Sequence, residues 1–422
     1  MTADGPRLFL VAGEPSGDAL GAALIRALRE ETGGAARFSG VGGPLMAAEG
    51  FESLFPQDDL AVMGLVEVLP RLPAILRRLR QTVDAAAAWR PDALVTIDSP
   101  SFGLRVARRL KARAPATRAI HYVAPSVWAW RPGRARKMAA YVDRVLALLP
   151  FEPPFFEAVG LPCDFVGHPA MAAPQADAAA VAALRARLDI APGAPVLLAL
   201  PGSRMGELRR HMALFGETIR LLGAERPDLR VILPTVPGVA EAAAAMSAGW
   251  AVRPDILDPR GAPPELAAAR KRAAFRAATA ALCASGTVAL ELAAADLPMV
   301  SVYRANPLTA SIVRRLVAVG SANLVNLVAG APPVPDARRG ARAALAPEPG
   351  PVPELLQEHF TARAAADAVA PLLSEGPARA AQRAAFAVVR AALGGDGPPP
   401  ETRAARAILA DLRDAPREEA SR

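Results

Sequence analysis

Cysteine is scarce in this sequence: Cys163 and Cys283 are the only two in 422 residues. Two thiols so far apart exclude a disulfide framework and a cysteine-based zinc site, and both are expected buried and reduced. No segment approaches the run of about 18 apolar residues that a membrane span needs. The opening MTADGPRLFLVAGEPSGD lacks the apolar stretch of a signal peptide, so the chain is expected in the cytoplasm. No DxD motif and no His/Asp cluster suggests a metal, and no cofactor is expected. A GxGxxG fingerprint followed by an acidic residue is missing, which disfavours NAD. Positive charge, by contrast, is in excess: 49 Lys and Arg against 41 Asp and Glu leave a net charge of +8. The excess favours an anionic partner, whether nucleic acid, phosphorylated substrate or anionic membrane surface. No nucleic-acid-binding module is recognisable.

The hydrophobic fraction, 52%, permits large cores. Short β-type runs alternate with helical ones, which implies parallel sheets covered on both faces. Strands are expected at Arg7–Gly13, Ala93–Ser99, Arg118–Val123 and Asp143–Pro150. They resume at Val196–Arg204, Arg230–Pro234, Ala280–Ala284 and Met299–Tyr303. Between the two sets, Met171–Pro195 is Ala- and Pro-rich with one short helix and reads as interdomain. The fold class is therefore α/β, with two Rossmann-like domains in tandem. Expected boundaries are 1–168, 169–400 and 401–422, the last a helix with a frayed tail. The Pro/Ala/Arg-rich stretch 331–353 reads as a surface loop.

Ligands of such sheets bind beyond the carboxyl ends of the strands, so the loops there are the candidates for chemistry. Ala12–Asp18 (AGEPSGD) follows the first strand and opens a helix. Gly13 and Gly17 allow close backbone approach, and Glu14, Ser16 and Asp18 are its polar groups, with helix capping as the plain alternative for the last two. In the second domain, Ser203 and the backbone amides of Pro201–Arg204 could hold phosphate oxygens while Arg204 supplies a bidentate charge. The turn Ser285, Gly286, Thr287 suits a diphosphate, with Glu291 about two helical turns further on and able to accept from ribose hydroxyls. Asp98 is the best-placed carboxylate for a general base.

These segments occur in order with GVGGPLM, MGLVEVLPRL, IDSPSF, HYVAPSVWAWR, LPFE, FVGHP and NLVAG, and together they resemble the lipid-A-disaccharide synthase family over nearly all of Arg7–Glu358. The resemblance implies a GT-B glycosyltransferase fold with its parallel sheets facing a central cleft. The N-terminal domain would bind acceptor and lipid, and the C-terminal domain the UDP-sugar. It implies transfer from UDP-2,3-diacylglucosamine to the 6-hydroxyl of 2,3-diacylglucosamine 1-phosphate with inversion, giving a β-1,6 disaccharide and UDP. Asp98 matches the family's important aspartate, and Asn326 lies in the family's NLVAG motif. A homodimer is plausible for the family.

Seven aromatic residues gather in His121–Phe156 around a basic cluster. Under this resemblance Trp128 and Trp130 shape a sugar or acyl pocket, and Arg131, Arg134 and Lys137 are candidates for the acceptor phosphate or membrane head groups. The apolar run with Met63, Val66, Val68, Leu69 and Leu72, backed by Arg71, Arg77, Arg78 and Arg80, suits acyl chains or the bilayer edge, although a core helix would look similar. Peripheral association with the inner face of the cytoplasmic membrane is expected. The chain departs from the family at Ser101, where an acidic residue is usual, and at Gly103, where Asn is usual. Two alternatives stand beside this reading: a UDP-N-acetylglucosamine 2-epimerase, and a catalytically silent lipid-binding relative.

Overall fold

The computed structural model describes residues 5–60, 65–306, 320–330, 333 and 350–414, without the side chains of 65–71. Met63, the side chains of Val66, Val68 and Leu69, nearly all of the 331–353 stretch and the tail after Asp414 lie outside the described residues. The chain forms two compact units. The first runs to Pro169 and resumes at Leu393; the second begins at Ala170 and ends at Ala392. The second domain was expected to extend to residue 400, so the chain returns to the first unit earlier than that.

In the first unit six parallel strands are ordered β2-β1-β3-β4-β5-β6. They are β1 (Arg7–Ala12), β2 (Arg37–Val41), β3 (Ala93–Ile97), β4 (Arg118–Tyr122), β5 (Arg144–Ala147) and β6 (Cys163–Phe165). Because side chains alternate along a strand, β1 sends Leu8 and Leu10 to one core and Phe9 and Val11 to another. The first core is covered by helix Pro15–Glu31 and by the C-terminal helix Pro400–Asp414, which contributes Ala404, Ala405 and Ile408. Helices Leu65–Trp89 and Pro100–Arg113 cover the second. The C-terminal helix is tied down by Asp411, only 2% exposed, whose carboxylate meets Arg118 at 2.7 Å and Arg144 at 2.9 Å. Those arginines begin β4 and β5, so the lock sits at the amino edge of the sheet and leaves the carboxyl edge for other work.

The second unit repeats the plan in the order β12-β11-β10-β7-β8-β9. Its strands are β7 (Val196–Leu200), β8 (Arg230–Pro234), β9 (Asp255–Leu257), β10 (Ala280–Ala284), β11 (Met299–Tyr303) and β12 (Glu354–Leu356). Helices Met205–Glu225 and Ala362–Val369 pack over Leu197, Leu282 and Val300 on one face. In each sheet the winding reverses once, between β1 and β3 in the first and between β7 and β10 in the second. A reversal leaves a crevice at the carboxyl ends of the two strands, where ligands of open α/β sheets bind.

Candidate active site

The crevice of the first unit is flanked by Gly13–Asp18 after β1 and Asp98–Ser99 after β3. The Ser16 hydroxyl donates to Asp98 Oδ2 at 2.7 Å, linking the two sides. Asp98 and Ser99 are both left-handed, at φ 50° and 39°, and Val123 after β4 has φ 78°. Non-glycine residues pay about 1 kcal/mol or more for this conformation, and three of them stand at adjacent strand ends. Asp98 is held there by its N–H, which donates to the Tyr122 carbonyl at 2.9 Å. A Cβ on Gly13 would lie 2.9 Å from Ser99 Oγ and one on Gly17 3.0 Å from the Ile97 carbonyl, so both glycines permit this close packing. The Glu14 carbonyl accepts from Gln57 Nε2 at 3.0 Å.

Asp18 has a different use. Its carboxylate, 2% exposed, accepts from the backbone N–H groups of Gly43, Leu45 and Met46, each at 2.9 Å. It fastens the GVGGPLM loop and has no face left for a ligand. Ser101 is exposed in the first turn of helix Pro100–Arg113. A Cβ on Gly103 would lie 2.9 Å from Thr96 Cβ, so an asparagine there would require Thr96 to shift.

In the aromatic segment Trp128 Nε1 donates to Glu152 Oε1 at 3.0 Å, and its ring meets Phe151 edge-on at 5.2 Å. Glu152, 3% exposed, also accepts from the Leu149 N–H at 3.0 Å. Burial pushes its carboxyl up to about 7, against the lowering effect of these donors. Trp130 is 40% exposed, with the Arg131 guanidinium 4.2 Å and the Arg134 guanidinium 5.6 Å from its ring centroid. Burial, and then Arg131, lower the Arg134 guanidinium below its ordinary pKa. Lys137 is exposed. Beneath them His121 is fully buried with Nδ1 2.7 Å from Thr96 Oγ1, and burial followed by Arg134 pushes it down to about 3.

The crevice of the second unit is flanked by Pro201–Arg204 after β7 and Ser285–Thr287 after β10. The Arg204 side chain is 65% exposed, and Gly286 and Thr287 are exposed beside it in the sheet order. A Cβ on Gly286 would meet nothing within 4 Å, so this turn is open. The Ser285 hydroxyl donates to the Ala322 carbonyl at 2.9 Å. The amides of Ser203 and Arg204, expected to be free for phosphate, donate instead to Glu207 Oε2 at 2.9 and 3.2 Å. Glu291, expected about two helical turns in, lies in the first turn of helix Val288–Ala294, because only four positions separate it from Thr287, and it pairs with Lys271 at 2.7 Å. Asn326 is 4% exposed and spends its amide on Val352, donating to the carbonyl and accepting from the N–H, both at 2.9 Å. It clamps the chain entering β12 and presents no free polar atom.

Two residues organise this edge: Glu354, which the sequence did not single out, and His211, which the sequence reads as incidental and structural rather than catalytic. Glu354, whose carboxyl burial pushes up, accepts from the Ser321 hydroxyl, from the Ala322 N–H at 3.1 Å and from Asn326 Nδ2 at 3.4 Å. His211, fully buried, stands between Pro201 and Arg304. Glu354 opens β12 and His211 follows Arg209 and Arg210 in its helix, and no motif spacing marks either.

A family model described as Lipid-A-disaccharide synthetase matches residues 8–346. The lipid-A-disaccharide synthase of Ruegeria pomeroyi is 51% identical over 403 residues, covering 96% of this chain and 94% of that protein. The enzyme of the same name from Rhodospirillum centenum is 49% identical, covering 95% and 94%. Among solved structures, UDP-GlcNAc 2-epimerase from Neisseria meningitidis has a TM-score of 0.57 at 10% identity, covering 96% of this chain and 99% of its own. The calicheamicin glycosyltransferase has a TM-score of 0.57 at 18% identity, covering 98% and 100%. At such identities these two show the GT-B fold alone, whereas the sequence relatives match almost end to end. The chain belongs to the lipid-A-disaccharide synthase family.

Proposed function

We propose that Asp98 is the base with which the chain carries out its family's reaction, the synthesis of lipid A disaccharide. The 6-hydroxyl of 2,3-diacylglucosamine 1-phosphate gives its proton to the Asp98 carboxylate as its oxygen attacks C1 of the sugar of UDP-2,3-diacylglucosamine. The bond from C1 to the phosphate oxygen breaks on the opposite face, its electron pair leaves with UDP, and the anomeric centre inverts. The observation that carries this reading is the Asp98 carboxylate at the winding reversal of the first sheet, in a strained conformation and oriented by Ser16 at 2.7 Å.

The departing diphosphate develops negative charge, which Arg204 and the open Ser285–Thr287 turn are suited to meet. A phosphate at the Ser203 and Arg204 amides would have to displace Glu207, so the arginine side chain and Ser203 hydroxyl carry that part of the reading. Glu291 serves the ribose once it exchanges Lys271 for hydroxyl donors, and Asn326 acts indirectly, by fixing the chain into β12. On the acceptor side Arg131, Arg134 and Lys137 supply charge for the 1-phosphate, with Trp128 held by Glu152 as an apolar wall.

The test is UDP release from UDP-2,3-diacylglucosamine, which should require the acylated monosaccharide 1-phosphate. Asp98→Ala should lower kcat by roughly 1,000-fold with folding retained. An active Asp98→Ala enzyme, or N-acetylmannosamine formed from UDP-N-acetylglucosamine, would overturn the reading.

A further inference from the structure

We propose that His211 is a positioning residue for the nucleotide-sugar site: it fixes the Pro201–Arg204 loop against the end of β11. The inference rests on the reading that this edge of the second unit holds UDP. In the sheet β10 lies between β11 and β7. The loops after β11 and β7 therefore stand on either side of the Ser285–Thr287 turn, and no backbone ladder joins them directly. His211 spans that gap from the second turn of helix Met205–Glu225. Its Nδ1 is 2.6 Å from the Pro201 carbonyl oxygen, and the Arg304 N–H donates to its Nε2 at 3.0 Å.

These partners determine the tautomer. A carbonyl only accepts, so Nδ1 carries the proton; an N–H only donates, so Nε2 is bare. Inverting the ring would break both bonds, and the ring is wedged by Phe215 at 6.5 Å, Tyr303 at 5.5 Å and Phe360 at 5.9 Å. Arg304 is itself anchored: its carbonyl accepts from Arg210 Nε at 2.8 Å and its guanidinium donates to the Phe360 carbonyl at 3.0 Å. One side chain therefore transmits a rigid anchor at β11 to the residue just before Gly202, whose φ of 130° begins the turn to Arg204. Without it Arg204 would sample positions unable to reach a diphosphate held at Ser285–Thr287. Reach of this kind affects substrate binding more than the chemical step.

Steady-state kinetics of the full chain test this, with UDP affinity measured by calorimetry and thermal unfolding run in parallel. His211→Phe keeps the ring packing and loses both bonds. It should raise the KM for the UDP-sugar and the dissociation constant of UDP by about 10-fold, leaving the acceptor KM within about 2-fold. His211→Asn can still donate to Pro201, and should show a smaller rise in the same direction. Arg204→Ala is the control on the underlying reading. If Arg204→Ala weakens UDP binding while both His211 variants bind UDP as the wild type does, the positioning role is overturned and the site stands. If Arg204→Ala has no effect, the site assignment itself fails. Should His211→Phe not fold, His211→Asn decides: wild-type kinetics in that variant overturn the proposal.

Discussion

A hydroxyl that donates to a carboxylate holds it in one rotamer and leaves its other oxygen for the reacting proton. Ser16 does this for Asp98 at 2.7 Å. Ser16→Ala should therefore lower kcat by about 10-fold, with the KM for the UDP-sugar unchanged because that substrate is assigned to the other unit. Initial rates at varied UDP-sugar decide it, and a wild-type kcat would remove Ser16 from the catalytic arrangement. Asp98 and Ser16 were legible because strand-end loops in an α/β pattern are where ligands bind. What each polar residue spends its atoms on was not legible. Asp18, Glu291 and Asn326 have the right types in the right motifs, yet Asp18 fastens the Gly43–Met46 loop, Glu291 pairs with Lys271 and Asn326 clamps Val352. Those partners lie 20 or more positions away in the chain, beyond the reach of local spacing. Glu354 escaped notice for the same reason, while His211 reads in the sequence as incidental.

At the scale of elements, the strands expected from the sequence are β1, β3, β4, β5, β7, β8, β10 and β11, all interior to their sheets. Neighbours on both sides and helices on both faces make each a mostly apolar run, which is readable. The four that were not anticipated, β2, β6, β9 and β12, are the four sheet edges. CDF, DIL and ELL are only three residues long, and all four edge strands, RFSGV included, carry a charged residue, as edge strands often do. Helix Leu65–Trp89 was legible only in part. Leu79, Val83 and Ala86 bury one stripe in the core, while Leu72 near the other end is 37% exposed. Arg78, expected to face head groups, is engaged with Asp59 and lies 4.6 Å over the Phe55 ring. Among the described residues no helix is long and apolar enough to cross a membrane. Surface binding by the start of this helix remains our proposal. Replacing Val68, Leu69 and Leu72 together by Ser should reduce flotation with anionic liposomes several-fold. Flotation equal to wild type would refute membrane docking at this helix.

Across the whole molecule, each unit holds histidine and glutamate side chains whose proton affinities burial displaces in opposite senses. The first unit has His121 and His168, pushed down by burial to about 3 and about 4, and Glu152, pushed up to about 7 by burial. The second has His211, lowered by burial, and Glu354, raised by burial. Unfolded histidine titrates near 6.5 and unfolded glutamate near 4.3. As pH falls below about 6.5 the unfolded chain gains histidine protons that the folded chain refuses, which costs stability. Over the same range the folded chain keeps a proton on Glu152 that the unfolded chain has shed. This contribution is fully present below about 4.3 and is lost as pH rises through about 7. Between these limits Glu152 offsets one of the first unit's two histidines and leaves the other uncompensated. Asp411, whose carboxyl Arg118 and Arg144 hold below its ordinary pKa despite burial, adds stability that is lost only in stronger acid. The uncompensated histidine should therefore lower wild-type stability steadily from about pH 6.5 to 5, with a steeper fall below about pH 4. Glu152→Gln removes one side of the balance. Its deficit relative to wild type should widen as pH drops from about 7 to about 4.5, at up to about 1.4 kcal/mol per pH unit. Denaturant unfolding of both proteins across that range measures the difference directly. A deficit that stays constant would mean that Glu152 titrates as an exposed glutamate does, and the balance in the first unit would not exist.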